Sequence, residues 1–330
     1  MNILPIGFSF LQVLCEGYAT WCADNPAAAD FVLTMNNGNT EVVRQAQATA
    51  RQLGIPLCWW TIEDPNAIGG FMPQAMMADY VFTSDKACIP TYRQHLKHER
   101  IYWLPLAANE WLHKPAPLAE DAADFVFSGN WYDNQWAARK WGTETVILPL
   151  ARAGYSMAIF SYEEPPYPEL KDFWRGATSC YTTAEQYTHG RVVLGNNNQR
   201  SGMDGRDKTF MTSMRTFEAL ACGKPFLAPQ SDAYEALGLL DDDMGGCLTA
   251  GGGIPFSNGA VVRIGRLASV DDPDSTLAAA TMLLGNDVPR WDKILSERGR
   301  AFILANHTYG HRLDRIARAI AGEADPEDWR

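Results

Sequence analysis

No stretch of this chain stays apolar for the roughly eighteen residues that a membrane-crossing helix needs, so the sequence points to a protein without a membrane anchor. The opening "MNILPIGFSFLQVLCEGY" is apolar but lacks the basic flank and small-residue cleavage site of a secretion signal, and it reads as a first strand. Cys-x-x-Cys spacing is missing as well. Cys15, Cys22, Cys58, Cys88, Cys180, Cys222 and Cys247 are odd in number and unpatterned, which argues against a disulfide framework or a cysteine zinc site and fits reduced, buried thiols of a cytoplasmic protein. There is no His-Glu-x-x-His pattern. His307 and His311 have a metal-compatible spacing of four but no third ligand nearby, so no metal site is expected. Positive charge is scarce: the formal net charge is −11, which argues against broad binding to nucleic acid. One basic patch stands out against this background, from Arg191 through Arg200, Arg206, Lys208 and Arg215 to Lys224, and it suits an anion.

What is present is apolar material in alternating form. The 330 residues, 46% of them hydrophobic, favour two domains. "ADFVLTMNN", "IPLCWWTIED", "DYVFTSD" and "RIYWLPLA" read as buried strands, separated by helical "TEVVRQAQATARQLG", "GGFMPQAMMA" and "ACIPTYRQHLKHE". After the Pro-containing break "HKPAPLAEDA" the alternation restarts, with strands "DFVFSGN", "YSMAIFS", "GRVVLGN" and "KPFLAP", and the chain ends in helices from Asp271 to about Ala321. Alternation of this kind gives an α/β fold of parallel sheets covered on both faces. Polar clusters follow several strands, where open parallel sheets bind their ligands. In "MTSMRTFEALACGKPFLAP", Arg215 and Glu218 share one face of a short helix that Gly223 ends before a buried strand.

"WWTIEDPN", "VFTSDKACIPTYR", "IYWLPLAAN", "FVFSGNWYDN", "MRTFEALACGKPFL" and "ANHTYGHRLDRI", in register from about residue 57 to 316, together resemble the CgeB-type glycosyltransferases. The resemblance implies a GT-B fold, two Rossmann-like domains facing across a cleft with the C-terminal helices packing back across the junction. The expected division is residues 1–115 on the acceptor side, 116–305 for the nucleotide-sugar, and 306–330 as the returning helix. It also implies a nucleotide-sugar co-substrate, UDP-linked by preference, and no obligatory cofactor or metal. Glu218 matches the position that holds the donor ribose hydroxyls, which suits a carboxylate that accepts from both. Arg215 and Thr216 lie beside it, and Gly129, Asn130 and Trp131 after a strand are further donor-site candidates, through backbone amides and a stacking ring. Phe210 stands where many retaining relatives carry a second glutamate, so the stereochemical outcome is open.

Loss of a nucleoside diphosphate calls for cations, and Arg206 and Lys208 are the candidates in "SGMDGRDK". An inverting enzyme needs a base, for which Asp64 after a buried strand is the candidate; Pro65 beside it equally suits a plain turn. Trp60, Glu63, Asn66, Asp85, Tyr309 and His311 are expected to line the acceptor side or the cleft. Acceptors in view are a glycan, a protein, a small molecule or a hydroxymethylated pyrimidine of phage DNA. A different class of function is an inert structural protein of the spore coat that keeps the fold.

Overall fold

The computed structural model describes the chain except for residues 37, 132–136, 178, 180, 198, 199, 204, 206, 241–252, 257–259 and 286–289. Contacts divide it into two compact units. The first comprises Met1–Ala107, Thr209–Met211 and Asn306–Arg330, and the second Ala108–Lys208 and Thr212–Ala305.

In the first unit, β1 (Asn2–Pro5), β2 (Thr20–Trp21), β3 (Phe31–Met35), β4 (Leu57–Thr61), β5 (Tyr80–Thr83) and β6 (Ile101–Trp103) form a parallel sheet in the order β2-β1-β3-β4-β5-β6. β3 and β4 are buried at every residue, as expected of strands covered on both faces. Between them run α1 (Ser9–Leu14), α2 (Thr40–Leu53), α3 (Ile68–Ala75) and α4 (Ile89–Leu96). The stretch read as a first strand is thus a short strand followed by a helix. α2 follows from its residues: the Asn39 side chain accepts from the Glu41 amide at its start, and Gly54 closes it at φ +67°, where a side chain would be strained.

The second unit holds β7 (Ala123–Ser128), β8 (Met157–Phe160), β9 (Trp174–Gly176), β10 (Gly190–Leu194), β11 (Phe226–Pro229), β12 (Gly253–Pro255), β13 (Val261–Ile264) and β14 (Ala268–Val270), ordered β12-β13-β14-β11-β10-β7-β8-β9. The sheet is parallel except at one edge, where β12, β13 and β14 pair antiparallel. Its helices are α5 (Ala137–Gly142), continuing through a π-helical turn (Thr143–Ile147) into α6 (Leu148–Arg152), then α7 (Thr183–Gln186), α8 (Met214–Ala221), α9 (Asp232–Ala236), α10 (Pro273–Leu284) and α11 (Trp291–Asn306). A core around Phe125, Val146, Ile159, Val192 and Leu283 joins the sheet to α6 and α10. Five cysteines are described, all buried as free thiols. Among the described residues no helix is long and apolar enough to cross a membrane.

The last helix, α12 (Tyr309–Ala321), belongs to the first unit. It carries two buried arginines. Arg312 donates from Nε to the Pro105 carbonyl at 2.8 Å and from Nη2 to Leu106 at 3.1 Å. Arg315 donates to the carbonyls of Trp103, at 3.2 Å, and Arg330, at 2.8 Å. These guanidiniums satisfy the backbone where the chain leaves β6, because a buried carbonyl without a donor is costly. Replacing Arg312 by Met strands those carbonyls, and we expect a loss of about 2–4 kcal/mol in urea unfolding. A loss below about 0.5 kcal/mol, the size of a surface substitution, would show that the contacts do not hold the helix.

Candidate functional site

The site is built on α8. Its residues Arg215 to Ala221 are all buried, so the helix has almost no solvent face, yet it carries an arginine and a glutamate. Good helix formers fill it and Gly223, at φ +67°, ends it. Its entry is pinned: the Thr212 hydroxyl lies 3.0 Å from that of Thr216 and donates to Asn197 Oδ1 at 3.4 Å, while Asn197 Nδ2 donates to the Tyr234 hydroxyl at 3.0 Å.

Arg215 reaches the C-terminal end of β7. Its Nε donates to the Ser128 carbonyl and its guanidinium lies 4.8 Å from the Phe127 ring centroid. A Cβ at Gly129 would run into the Arg215 guanidinium, which would have to shift. Burial pushes the Arg215 pKa down. Nη1 has no hydrogen-bond partner among the described residues.

Glu218, one turn on, is 2% exposed. The Tyr187 hydroxyl donates to its Oε2 at 3.2 Å, whereas Oε1 has no hydrogen-bond partner among the described residues. His113 Nε2 lies 3.7 Å from Oε1. Because His113 Nδ1 accepts from the Asn109 amide at 3.0 Å, the neutral ring carries its proton on Nε2, towards the carboxyl. Burial raises the Glu218 pKa to about 7, against the opposing effects of Arg215 and of the Tyr187 and Thr183 hydroxyls, and burial lowers that of His113 to about 4. The close approach is therefore a neutral imidazole beside a carboxyl, not a salt bridge. Arg215 and Glu218 make no direct ion pair either. Ser213, the residue before α8, adds a third buried and unpartnered polar atom, its Oγ.

The other expected donor residues behave differently. The Gly129 amide donates to the Phe160 carbonyl at 2.9 Å, and Asn130 Oδ1 accepts from the Tyr162 amide at 3.1 Å, so the first is committed to the fold and the second holds a neighbouring loop. Trp131 packs on Phe127, with ring centroids 5.1 Å apart, and donates to Ser161 Oγ, half-buried against the core. Thr216 is fully buried. Lys208 is exposed, and Arg206 lies outside the described residues.

In the first unit the expected residues lie as follows. Asp64 is 0% exposed, with its carboxylate accepting from Thr83 Oγ1 at 2.6 Å and from the Tyr92 hydroxyl at 3.0 Å. Asp64 thereby ties β4 to β5 and α4. Asp85 is also fully buried: it accepts from Thr209 Oγ1 at 2.6 Å and from the Phe210 amide at 3.0 Å, docking that segment in the first unit. Trp60 is core, donating to the Leu104 carbonyl at 3.1 Å, and Tyr309 packs edge-on against it. His311 forms a capping box with Thr308 at the start of α12. Glu63 is exposed and Asn66 half-buried. Phe210, where a second glutamate was sought, faces Lys86, whose Nζ stands 4.3 Å from its ring centroid. His113, Tyr187 and Thr209 carry no local pattern that marks them in the sequence.

Burial raises the Asp64 pKa to about 7 as well. A carboxyl whose folded pKa lies above its unfolded value favours the fold in its protonated form, so its stabilisation is full below about pH 4 and lost as pH rises through about 7. His113 acts in the opposite sense, so the difference between proteins is the useful reading. We expect wild type minus Asp64→Asn to fall in unfolding free energy between about pH 4 and 7 and level beyond it, on the order of 2–4 kcal/mol in all. A flat difference would place the Asp64 carboxyl at an ordinary pKa.

The glycosyl transferase-like family matches residues 111–318, more than half of the chain. Among solved structures, HepE from Anabaena in complex with UDP and glucose is similar at a TM-score of 0.56 and 11% identity, covering 97% of this chain and 91% of that one. The same protein in complex with UDP-glucose gives a TM-score of 0.53 at 12% identity, covering 91% and 80%. The catalytic domain of starch synthase IV from Arabidopsis thaliana, bound to ADP and acarbose, gives 0.55 at 9% identity, covering 92% and 74%. No curated protein matches the chain. The two parallel-sheet units share their α/β fold with these GT-B structures. By its family match the chain belongs to the glycosyl transferase-like family and is a glycosyltransferase of the GT-B fold.

Proposed function

We propose that this enzyme, a member of the CgeB-like group, transfers a sugar from a UDP-sugar to an acceptor hydroxyl, with the donor nucleotide bound at α8 and without a resident metal. The observation that carries the reading is that three buried polar atoms at the start of this helix, Ser213 Oγ, Arg215 Nη1 and Glu218 Oε1, lack hydrogen-bond partners among the described residues. Buried polar atoms are nearly always hydrogen-bonded, and those that are not need a reason. A nucleoside diphosphate supplies one. Ribose hydroxyls donate to Glu218 Oε1, while Arg215 Nη1, Ser213 Oγ and the N-terminal dipole of α8 receive the diphosphate oxygens. As the bond from the sugar to the diphosphate breaks, negative charge grows on the leaving oxygen, and fixed donors of this kind lower the barrier. The UDP and UDP-glucose bound by HepE support uridine as the base.

A thermal-shift panel with UDP, GDP, ADP, TDP and CMP tests the assignment. We expect UDP to stabilise the protein, a ligand at 100 times its Kd adding about 2.7 kcal/mol. Glu218→Gln should weaken UDP by about 1–3 kcal/mol through loss of a charge-assisted bond. Unchanged affinity would remove the ribose role. Because ribose hydroxyls favour the ionised carboxyl, wild-type affinity for UDP should rise as pH increases through about 7, and Glu218→Gln should lack that rise.

A further inference from the structure

A cavity of about 470 Å³ lies in the second unit at the end of the sheet away from α8's first turn. Its wall includes Arg191 and Pro225, at the starts of β10 and β11, whereas Ser128 and Gly129 lie at the finish of β7. These strands are parallel, so the cavity and the proposed donor site occupy opposite ends of one sheet. α8 spans the distance: Arg215 and Glu218 sit in its first two turns, and Cys222 and Gly223 at its end line the cavity.

The lining is cationic in a protein of net charge −11. Arg191, Lys224 and Lys293 contribute three positive charges, and Asp292 and Glu297 two negative ones. Asp292 is already neutralised by Arg290, which donates from Nε at 3.0 Å and from Nη2 at 2.7 Å to its two oxygens. Lys224 is only 6% exposed, and its ammonium donates to the Gly190 carbonyl at 3.1 Å. An ammonium has three protons to donate. Burial lowers its pKa to about 8, a cost that an anion in the cavity would offset. Arg191 spends Nη2 on the Leu284 carbonyl, at 3.1 Å, and keeps its other donors. Among the described residues, no ion pair ties Arg191, Lys224 or Lys293 to a carboxylate.

We propose that this cavity is a second ligand site, distinct from the donor site, and that it binds a sugar phosphate. A phosphate monoester carries close to two negative charges near neutral pH, which matches the three cations less Glu297. The Ser296 hydroxyl and the Glu297 carboxylate suit sugar hydroxyls, and the exposed Pro115 and Leu118 give the apolar surface on which a sugar ring rests. The volume falls within the usual range for small-molecule pockets.

Titration of the full chain with glucose 1-phosphate, and separately with inorganic phosphate, followed by thermal shift, tests the site. The expected result is saturable stabilisation by glucose 1-phosphate in wild type and in Glu218→Gln alike. Apparent affinity should fall at least tenfold in Lys293→Ala and Arg191→Gln, and inorganic phosphate should bind more weakly than the ester. Lys293 is exposed, so its variant folds even where a Lys224 variant does not. Absence of saturable stabilisation, undiminished binding in both cavity variants, or binding lost in Glu218→Gln but kept in the cavity variants would each overturn the proposal. Equal affinity for inorganic phosphate would overturn the assignment to a sugar ester.

Discussion

Charge buried in α8 is the constraint on which the second unit turns. Taking a guanidinium and a carboxyl out of water costs several kcal/mol each unless partners compensate. Arg215 meets that cost with the Ser128 carbonyl and the face of Phe127, and it lies so close to Gly129 that a side chain there would displace it. Glu218 meets it by holding a proton up to about pH 7 and by accepting from Tyr187. Compensation is incomplete in both cases, and the unmatched atoms lie on the helix that enters from the loops beyond the strand ends. Such a site is prepared in advance, since its donors are fixed by the fold before any ligand arrives.

The first unit handles buried charge by closing it off. Asp64 and Asp85 are surrounded by hydroxyl and amide donors, and Arg312 and Arg315 by carbonyls, so these groups fasten backbone to backbone.

The architecture was largely legible in the residues. Fully apolar strands alternating with amphipathic helices pointed to both parallel sheets, and Gly54 and Gly223 marked helix ends where the structure has them. The antiparallel edge of β12 to β14 was not legible, because its short strands follow no apolar run that stands out from the loops around them. Site residues were harder. Arg215 and Glu218 stood out as a charged pair on one helix face, and the resemblance gave Glu218 its expected ribose role, but Asp64 and Asp85 looked like loop carboxylates. Their burial depends on partners 28 and 124 residues away, Tyr92 and Thr209, which no local pattern encodes. The partners of Trp131 were hidden for the same reason, since Phe127 and Ser161 meet it only once β7 and β8 are side by side.

The return of α12 to the first unit has a consequence for the nascent chain. β6 is an edge strand, and the backbone from Trp103 to Leu106 relies on Arg312 and Arg315 for its donors. Roughly 200 residues separate the two, which at about 5–20 residues per second means on the order of 10–40 s of synthesis. Throughout that interval the ribosome holds a sheet with an open, apolar edge, the kind of surface that recruits chaperones or pairs with a neighbour. In the second unit His113, Ser128 and Tyr187, which meet Arg215 and Glu218, precede them in the chain, and Tyr234, which helps pin the entry of α8, follows them closely. The proposed donor site thus waits for only a short stretch beyond α8, while the unit begun first is the one completed last.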